Sequence, residues 1–358
     1  MQSPDVRPDV TGKPQLTDKE TEALIQSIPE QYALLGKVSQ GGMGAIFKVQ
    51  NKYTSAYYAL KMLRHEFAEN ELSKQRFIME AKAASTLNHP LICRVQDFGM
   101  VNETPYLVME WIDGISLERK IRRDGPLNVA EATSIFQQIS SALNHAHKHN
   151  VIHRDLKPDN IMLSRRGEAT EARLVDFGIA KFLTGDEYSR TEGLTATGVL
   201  VGSPLYMSPE QARGGEVDAR SDIYSLGVAL YMALTGAPPF LGKTLVDTIY
   251  MHINDQPPPM DPNLNVPADL QKVVLKALEK KPDDRYQTVE LFGADLAKVA
   301  SGVGVGTITL SLQRQKGKQQ FINVLYFMLA FIAIYSASIA LQNFLDSRHA
   351  AQTHHQQH

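Results

Sequence analysis

The chain has 358 residues, enough for one large domain or two modest ones with a sizeable core. Lysine and arginine number 37 against 39 aspartate and glutamate, a near-neutral balance that gives no argument for a nucleic-acid partner. The lone cysteine, Cys93, excludes an internal disulfide and a Cys-rich zinc site; beside Leu91 and Ile92 it reads as a small buried hydrophobe.

No apolar run follows Met1, so no secretory signal peptide is expected and the bulk of the chain is expected to fold in the cytoplasm. Residues 1–29 read as an N-terminal tail, polar and Pro-rich at first and helical from Thr17. Thr17-Asp18-Lys19-Glu20 resembles a capping box, and Ala23, Leu24, Ile25 and Ile28 offer a short apolar face for docking. From Tyr32 to Leu63 the pattern is strand-like, broken by Gly41-Gly42-Met43-Gly44. A helix is predicted over Leu72–Leu87, and strands around Arg94–Phe98 and Tyr106–Glu110. After Asp113-Gly114 the chain reads mostly as helix to Ala300, interrupted by polar loops. Strands first and helices second predict an α+β domain over residues 30–300, with a small β-rich lobe (30–110) and a larger helical lobe (111–300).

Residues 301–320 read as a linker, glycine-containing and then basic at Arg314, Lys316 and Lys318. The run Phe321–Leu341 holds no Asp, Glu, Lys, Arg or His. As a helix it would extend roughly 31 Å, the thickness of a bilayer's hydrocarbon core, and it lacks the charged face of an interfacial helix. A single transmembrane helix is therefore predicted over 321–341, with a buried core helix as the alternative. Three basic residues precede it and Arg348 follows, which places the N-terminal bulk on the cytoplasmic side of a cell membrane. Ala330, Ala333, Ala337 and Ala340 form a stripe of small side chains that would allow a homodimer of spans. Residues 342–358 are a short polar tail whose histidines, His349, His354, His355 and His358, suit either disorder or metal binding.

The chemistry-bearing residues lie between these elements. His153-Arg154-Asp155-Leu156-Lys157-Pro158-Asp159-Asn160 presents an acid, a lysine and an amide at fixed offsets on one short loop, and Asp176-Phe177-Gly178 follows. Phosphoryl transfer needs these types: a carboxylate for the attacking hydroxyl, a cation for the moving phosphoryl group, and oxygen ligands for a divalent metal. Lys61 ends the apolar run Tyr58-Ala59-Leu60, either as a solvated strand edge or as a phosphate ligand; Glu80, on the following helix, is its natural ion-pair partner. A hydroxyl-rich stretch with Ser189, Thr191, Thr195, Thr197 and Ser203 separates Asp176 from Ser208-Pro209-Glu210. It is long for a structureless loop unless it is functional.

In this order, over about residues 30–300, these segments resemble the bacterial serine/threonine protein kinases of the eukaryotic-like type, membrane-anchored here by the C-terminal span. The resemblance implies a two-lobed kinase fold and transfer of the γ-phosphate of ATP, with Mg²⁺ or Mn²⁺, to Ser/Thr hydroxyls of proteins. It implies Asp155 as base, Lys157 on the transferring phosphoryl, Lys61 paired with Glu80, and Asn160 and Asp176 as metal ligands. The nucleotide would be lined by Val38, Ser39, Gly41, Gly42, Gly44, Ile46, Ala59, Met109 and the backbone of Glu110 and Ile112. Ser39 stands where the family pattern has glycine. Thr195 and Thr197 are implied phosphorylation sites, with Arg154 offering a guanidinium to a phosphate there. His153 reads as a packing residue. Glu210 is expected to pair with Arg285, and Asp222 to hold the backbone of the 153–160 loop. The alternative is a catalytically silent pseudokinase scaffold, which usually lacks one of the residues that are all present here.

Overall fold

The computed structural model describes residues 22, 24–40, 44–167, 169–177 and 204–302. Alternation shapes the first lobe. In β2 (Gly44–Asn51) Ala45, Phe47 and Val49 are fully buried while Gly44, Ile46 and Lys48 are half-buried, the two faces of one pleated strand. The strand-like stretch before Leu63 resolves into β1 (Tyr32–Gln40), β2 and β3 (Tyr57–Leu63), each antiparallel to the next. The two later runs lengthen into β4 (Val95–Val101) and β5 (Thr104–Glu110). Asn102 and Glu103 between them both take positive φ, 47° and 63°, as a two-residue hairpin of matching twist requires. The order in the sheet is β1-β2-β3-β5-β4.

One face of this sheet gathers Phe47, Val49, Leu60, Met62, Tyr106 and Val108, and Leu24 from the preceding segment closes over it at 4% exposure. Residues 24–26 are helical; Thr17-Asp18-Lys19-Glu20 and Ala23, which carry most of the expected helix, lie outside the described residues. The other face carries Ala59, Leu63, Leu107 and Met109 against Phe77 and Ala81. These last two belong to α2 (Glu71–Ser85), which follows the single turn α1 (His65–Ala68). The Asn70 side chain caps α2 by accepting from Ser73 N at 2.9 Å. Gly44 has a specific reason to be glycine: a Cβ there would stand 2.3 Å from the Met62 carbonyl oxygen on β3.

The second lobe is not helical throughout its first part. β6 (Gly114–Ser116), β7 (Ile161–Arg166) and β8 (Ala169–Leu174) form a small antiparallel sheet in that order. A mostly helical pattern overlooks them because each is short and two flank the motif loops, where polar residues hide the period of two. Around the sheet stand α3 (Leu117–Asp124), α4 (Val129–Lys148), α5 (Pro209–Ala212), α6 (Ala219–Thr235), α7 (Leu245–Asn254), α8 (Ala268–Ala277) and α9 (Val289–Ala300). The axis of the lobe is α6, buried at every position from Ser221 to Leu234. Such a helix has no solvated face, so its polar residues must find partners inside.

One pair locks this lobe. The side chain of Arg285 is fully buried, and it meets Glu210 of α5 through Nη1 at 2.7 Å and Nη2 at 2.8 Å. Its remaining N–H groups donate to the carbonyls of Glu279 (2.7 Å), Arg220 (3.1 Å) and Lys280 (3.0 Å). Burial alone would raise the Glu210 carboxyl's pKa, but Arg285 beside it and the Ser221 hydroxyl hold it below the ordinary glutamate value. Replacing Arg285 by alanine leaves the Glu210 carboxylate without its cation, with the Ser221 hydroxyl still beside it, and is expected to cost about 3–5 kcal/mol in urea denaturation. Because the folded-state pKa of Glu210 is depressed, the pair stabilises fully above the unfolded glutamate pKa. Its contribution is lost as pH falls through the folded value, so the wild-type advantage over Arg285→Ala should shrink below about pH 4.

Candidate active site

The strand β3 and the helix α2 meet at an ion pair. Lys61 Nζ lies 2.9 Å from Glu80 Oε1 and, across the lobes, 3.1 Å from Asp176 Oδ1. Burial pulls the ammonium's pKa down, yet Asp176 and Glu80 together outweigh it and the pKa ends above the ordinary lysine value. Lys61 is therefore a permanent cation at the back of the cleft. The two carboxylates approach it from different lobes, so the pair also bridges them.

Opposite it, the loop 153–160 is held by bonds rather than by secondary structure. Lys157 Nζ lies 2.9 Å from Asp155 Oδ2, and Asn160 Nδ2 donates to the Asp155 carbonyl at 2.8 Å. With that nitrogen engaged, the Asn160 oxygen is its remaining polar atom. His153 is fully buried: its Nδ1 accepts from Asp155 N at 3.3 Å, its Nε2 faces the Val175 carbonyl at 3.2 Å, and its ring lies 4.8 Å from Phe177. Burial lowers its pKa, and the two bonds suit a neutral imidazole protonated at Nε2. The packing role expected of it holds.

Asp222 of α6 anchors this loop, as expected. At 1% exposure its carboxylate accepts from His153 N and Arg154 N, each at 2.8 Å, and contacts His147 Nε2 at 2.7 Å. Burial acts to raise its pKa, but His147, His153 and these donors bring it below the ordinary aspartate value. Gln211 Nε2 donates to the Arg154 carbonyl at 2.9 Å, so both peptide groups of Arg154 are gripped. Arg154 sits at φ 64° and Asp176 at φ 54°, left-handed values that cost a side-chain-bearing residue energy and persist only where neighbours enforce them. Arg154 Nε is buried without a hydrogen-bond partner among the described residues, and burial lowers the group's pKa.

The other expected residues that are described lie on the first-lobe strands and the linker. Ile46 and Ala59 are half-buried on one face of β2 and β3, and Met109 and Ile112 are buried where β5 runs into the linker to β6. Val38 and Ser39 are exposed on β1, with Ser39 opposite Ile46. Gly44 opens β2; Gly41, Gly42, Thr195 and Thr197 lie outside the described residues. Two neighbours do not stand out in the sequence. Met162, on β7 directly after Ile161, joins Ala59, Met109 and Ile112 in one apolar cluster, the floor of the cleft. The Glu110 side chain accepts from Arg94 N at 3.0 Å and pairs with Arg173 of β8 at 3.1 Å, fastening the linker to the second lobe. The apolar run Ile161-Met162-Leu163 marks a buried segment without singling out Met162; nothing in the sequence pairs Glu110 with Arg173.

A five-stranded lobe over a helical one, closing on two lysines, three carboxylates and an amide, has the form of a protein-kinase cleft. The protein kinase domain model matches residues 32–296, and the chain belongs to that family. It is 41% identical over 282 residues to the serine/threonine-protein kinase PknB of Mycolicibacterium smegmatis, covering 77% of this chain and 44% of that protein. It is 39% identical over 279 residues to the serine/threonine-protein kinase pkn3 of Myxococcus xanthus, covering 76% of this chain and 51% of that one. The chain thus spans about half the length of these curated relatives. Among solved structures, the Mycobacterium tuberculosis PknI kinase domain superposes with a TM-score of 0.58 at 28% identity, over 76% of this chain and 97% of that chain.

Removing the Asp222 carboxylate leaves two buried backbone N–H groups without an acceptor. Asp222→Ala should cost about 2–6 kcal/mol in urea denaturation. Hydrogen exchange at the amides of His153 and Arg154 should accelerate more than elsewhere in the lobe, and Asp222→Asn, which keeps one acceptor oxygen, should fall between.

Proposed function

We propose that this chain is a serine/threonine protein kinase that transfers the γ-phosphoryl group of ATP to protein hydroxyls. The observation that carries the reading is Lys61 bridging Glu80 and Asp176 while Asp155, Lys157 and Asn160 stand assembled on the facing loop. A silent scaffold has no need to keep that set intact, and the pseudokinase alternative is not favoured. The relatives' names and Lys157 two positions after Asp155 support serine or threonine as acceptor.

In this reading Asp155 orients the substrate hydroxyl and takes its proton, and Lys157 stabilises charge on the transferring group. Lys61 holds phosphate oxygens, with Glu80 fixing its direction. Asn160 and Asp176 offer only hard oxygen donors, which fit Mg²⁺ or Mn²⁺ and not a soft metal. When bound, the ion would neutralise phosphate charge. Ile46, Ala59, Met109 and Met162 would sandwich the base, with the glycine loop at 41–44 over the phosphates. Thr195 and Thr197 are the proposed autophosphorylation sites, supported by the Arg154 Nε, which is buried without a hydrogen-bond partner among the described residues.

We further propose the domain division 30–110 and 111–300, with a juxtamembrane linker at 301–320 and a single membrane span at 321–341. Among the described residues no helix is long and apolar enough to cross a membrane, and 321–341 lie outside them. The charge-free run itself supports the span, and the basic linker supports a cytoplasmic kinase. The alanine stripe supports a span-mediated homodimer, and Ala333→Leu with Ala337→Leu should then lower crosslinked dimer in membranes.

Labelled ATP given to the full chain should label serine and threonine. Asp155→Asn and Lys61→Met should reduce the rate by on the order of 100-fold or more. EDTA should abolish labelling and excess Mg²⁺ restore it. Wild-type labelling no greater than that of both variants would falsify the kinase reading. Deleting 321–341 should move the protein from the carbonate-washed membrane pellet to the supernatant; an unchanged pellet would refute the span.

A further inference from the structure

The half-buried face of the sheet that carries Ile46, Ala59 and Lys61 continues toward the linker as Lys48 and Tyr57. Lys48 faces Ala59 in the β2–β3 register, and Gln50 faces Tyr57 one pleat further on. At that end the Lys48 ammonium lies 4.4 Å from the centre of the Trp111 ring and 5.0 Å from that of Tyr57. Trp111 lies on the linker between Glu110 and Ile112, so the contact runs from the roof of the cleft to its back wall. Among the described residues Lys48 makes no ion pair; the two rings are its partners.

We propose that Lys48 is a positioning residue for the nucleotide: a cation held between two aromatic faces, it clamps the sheet to the interlobe linker. The inference rests on the ATP reading above. The negative faces of both rings attract the ammonium, and partial burial of Lys48 and Trp111 strengthens that attraction relative to open water. A base bound between Ile46 and Ala59 on the roof and the Glu110–Ile112 backbone touches both parts the clamp joins. The sheet ladder already pairs Tyr58 with Glu110; without the clamp, Trp111 just beyond that pair is freer, and ordering it falls to the nucleotide, which weakens binding. The Asp155 loop is in the other lobe and is held by Asp222, so the loss should fall on affinity and spare turnover.

Trp111 is the chain's only tryptophan, so the emission of the full-length protein reports directly on the clamp. Lys48→Met keeps an unbranched stem and removes the charge; Lys48→Arg keeps a cation that stacks on aromatic rings. Lys48→Met should shift Trp111 emission and weaken ATP, in both Kd and KM, by about three- to tenfold. Turnover at saturating ATP should stay within about twofold of wild type, since an interaction common to ground and transition state moves KM alone. Lys48→Arg should bind ATP like wild type. Tyr57→Leu removes one ring at a half-exposed position and should give a smaller loss, which tests the clamp independently of Lys48. Wild-type ATP affinity in Lys48→Met, or equal defects in the Met and Arg variants, overturns the proposal. ATP binding without phosphoryl transfer by the wild type would sink the kinase reading and leave the clamp standing on the affinity data. No ATP binding at all overturns both.

Discussion

A single buried carboxylate, that of Asp222, sets the geometry on which the rest of the cleft depends. It lies inside a helix with no solvated face, where an unpaired charge would be untenable, and it is stabilised there by two backbone amides and a histidine. Those amides belong to His153 and Arg154, so the charge is neutralised by the very loop that carries Asp155. Gln211 grips the carbonyl side of the same residue. With both ends fixed, Arg154 tolerates its left-handed backbone, and that turn presents Asp155 to Lys157 and Asn160. The hydrogen bonds that satisfy α6 are therefore the ones that aim the loop.

Around this fixed point the remaining parts are held by charge. Arg285 ties α5 to the end of α8 and so keeps Gln211 within reach of Arg154. Lys61 brings Asp176 of one lobe and Glu80 of the other to the same ammonium. Glu110, through Arg94 and Arg173, fastens the linker from behind. None of these ties is covalent, and apart from the bond of Arg285 to the Glu279 carbonyl each joins residues at least 16 positions apart. The cleft is thus a set of polar closures laid over packed apolar clusters, one of which joins Ala59 and Met109 of the first lobe to Met162 and Val175 of the second.

Much of this arrangement is legible in the amino-acid sequence, for a physical reason. Residues whose role depends on local spacing, such as Asp155, Lys157 and Asn160, sit close together on one loop and announce themselves. Lys61, Glu80 and Asp176 are separated, but each occupies a recognisable context: a strand end, a helix face, a turn. The strands β6, β7 and β8 are not legible because each is short and two of them flank the polar positions 153–160 and Asp176. Met162 lies within one of them, in the apolar run Ile161-Met162-Leu163, which does not single it out. The Glu110–Arg173 and Lys48–Trp111 contacts are invisible for a different reason: their partners are brought together only by the closing of the sheet and the linker. Sequence pattern alone makes Gly44 a residue that leaves room for phosphates, whereas the Met62 carbonyl by itself forbids a side chain there.

Leu24 carries a lesson about where a fold begins. The shared family pattern starts at Tyr32, yet Leu24 lies upstream of it and is buried with Tyr32, Tyr106 and Val108, with Ile28 beside it. Burying such a side chain contributes roughly 1.5–3 kcal/mol, a large fraction of a domain's net stability. The inherited module and the cooperative unit are therefore not the same length. A gene fusion, domain exchange or proteolytic cut placed at the conventional boundary would leave the five-stranded sheet with an open apolar face. What looks like a leader to the catalytic domain is, energetically, part of its roof.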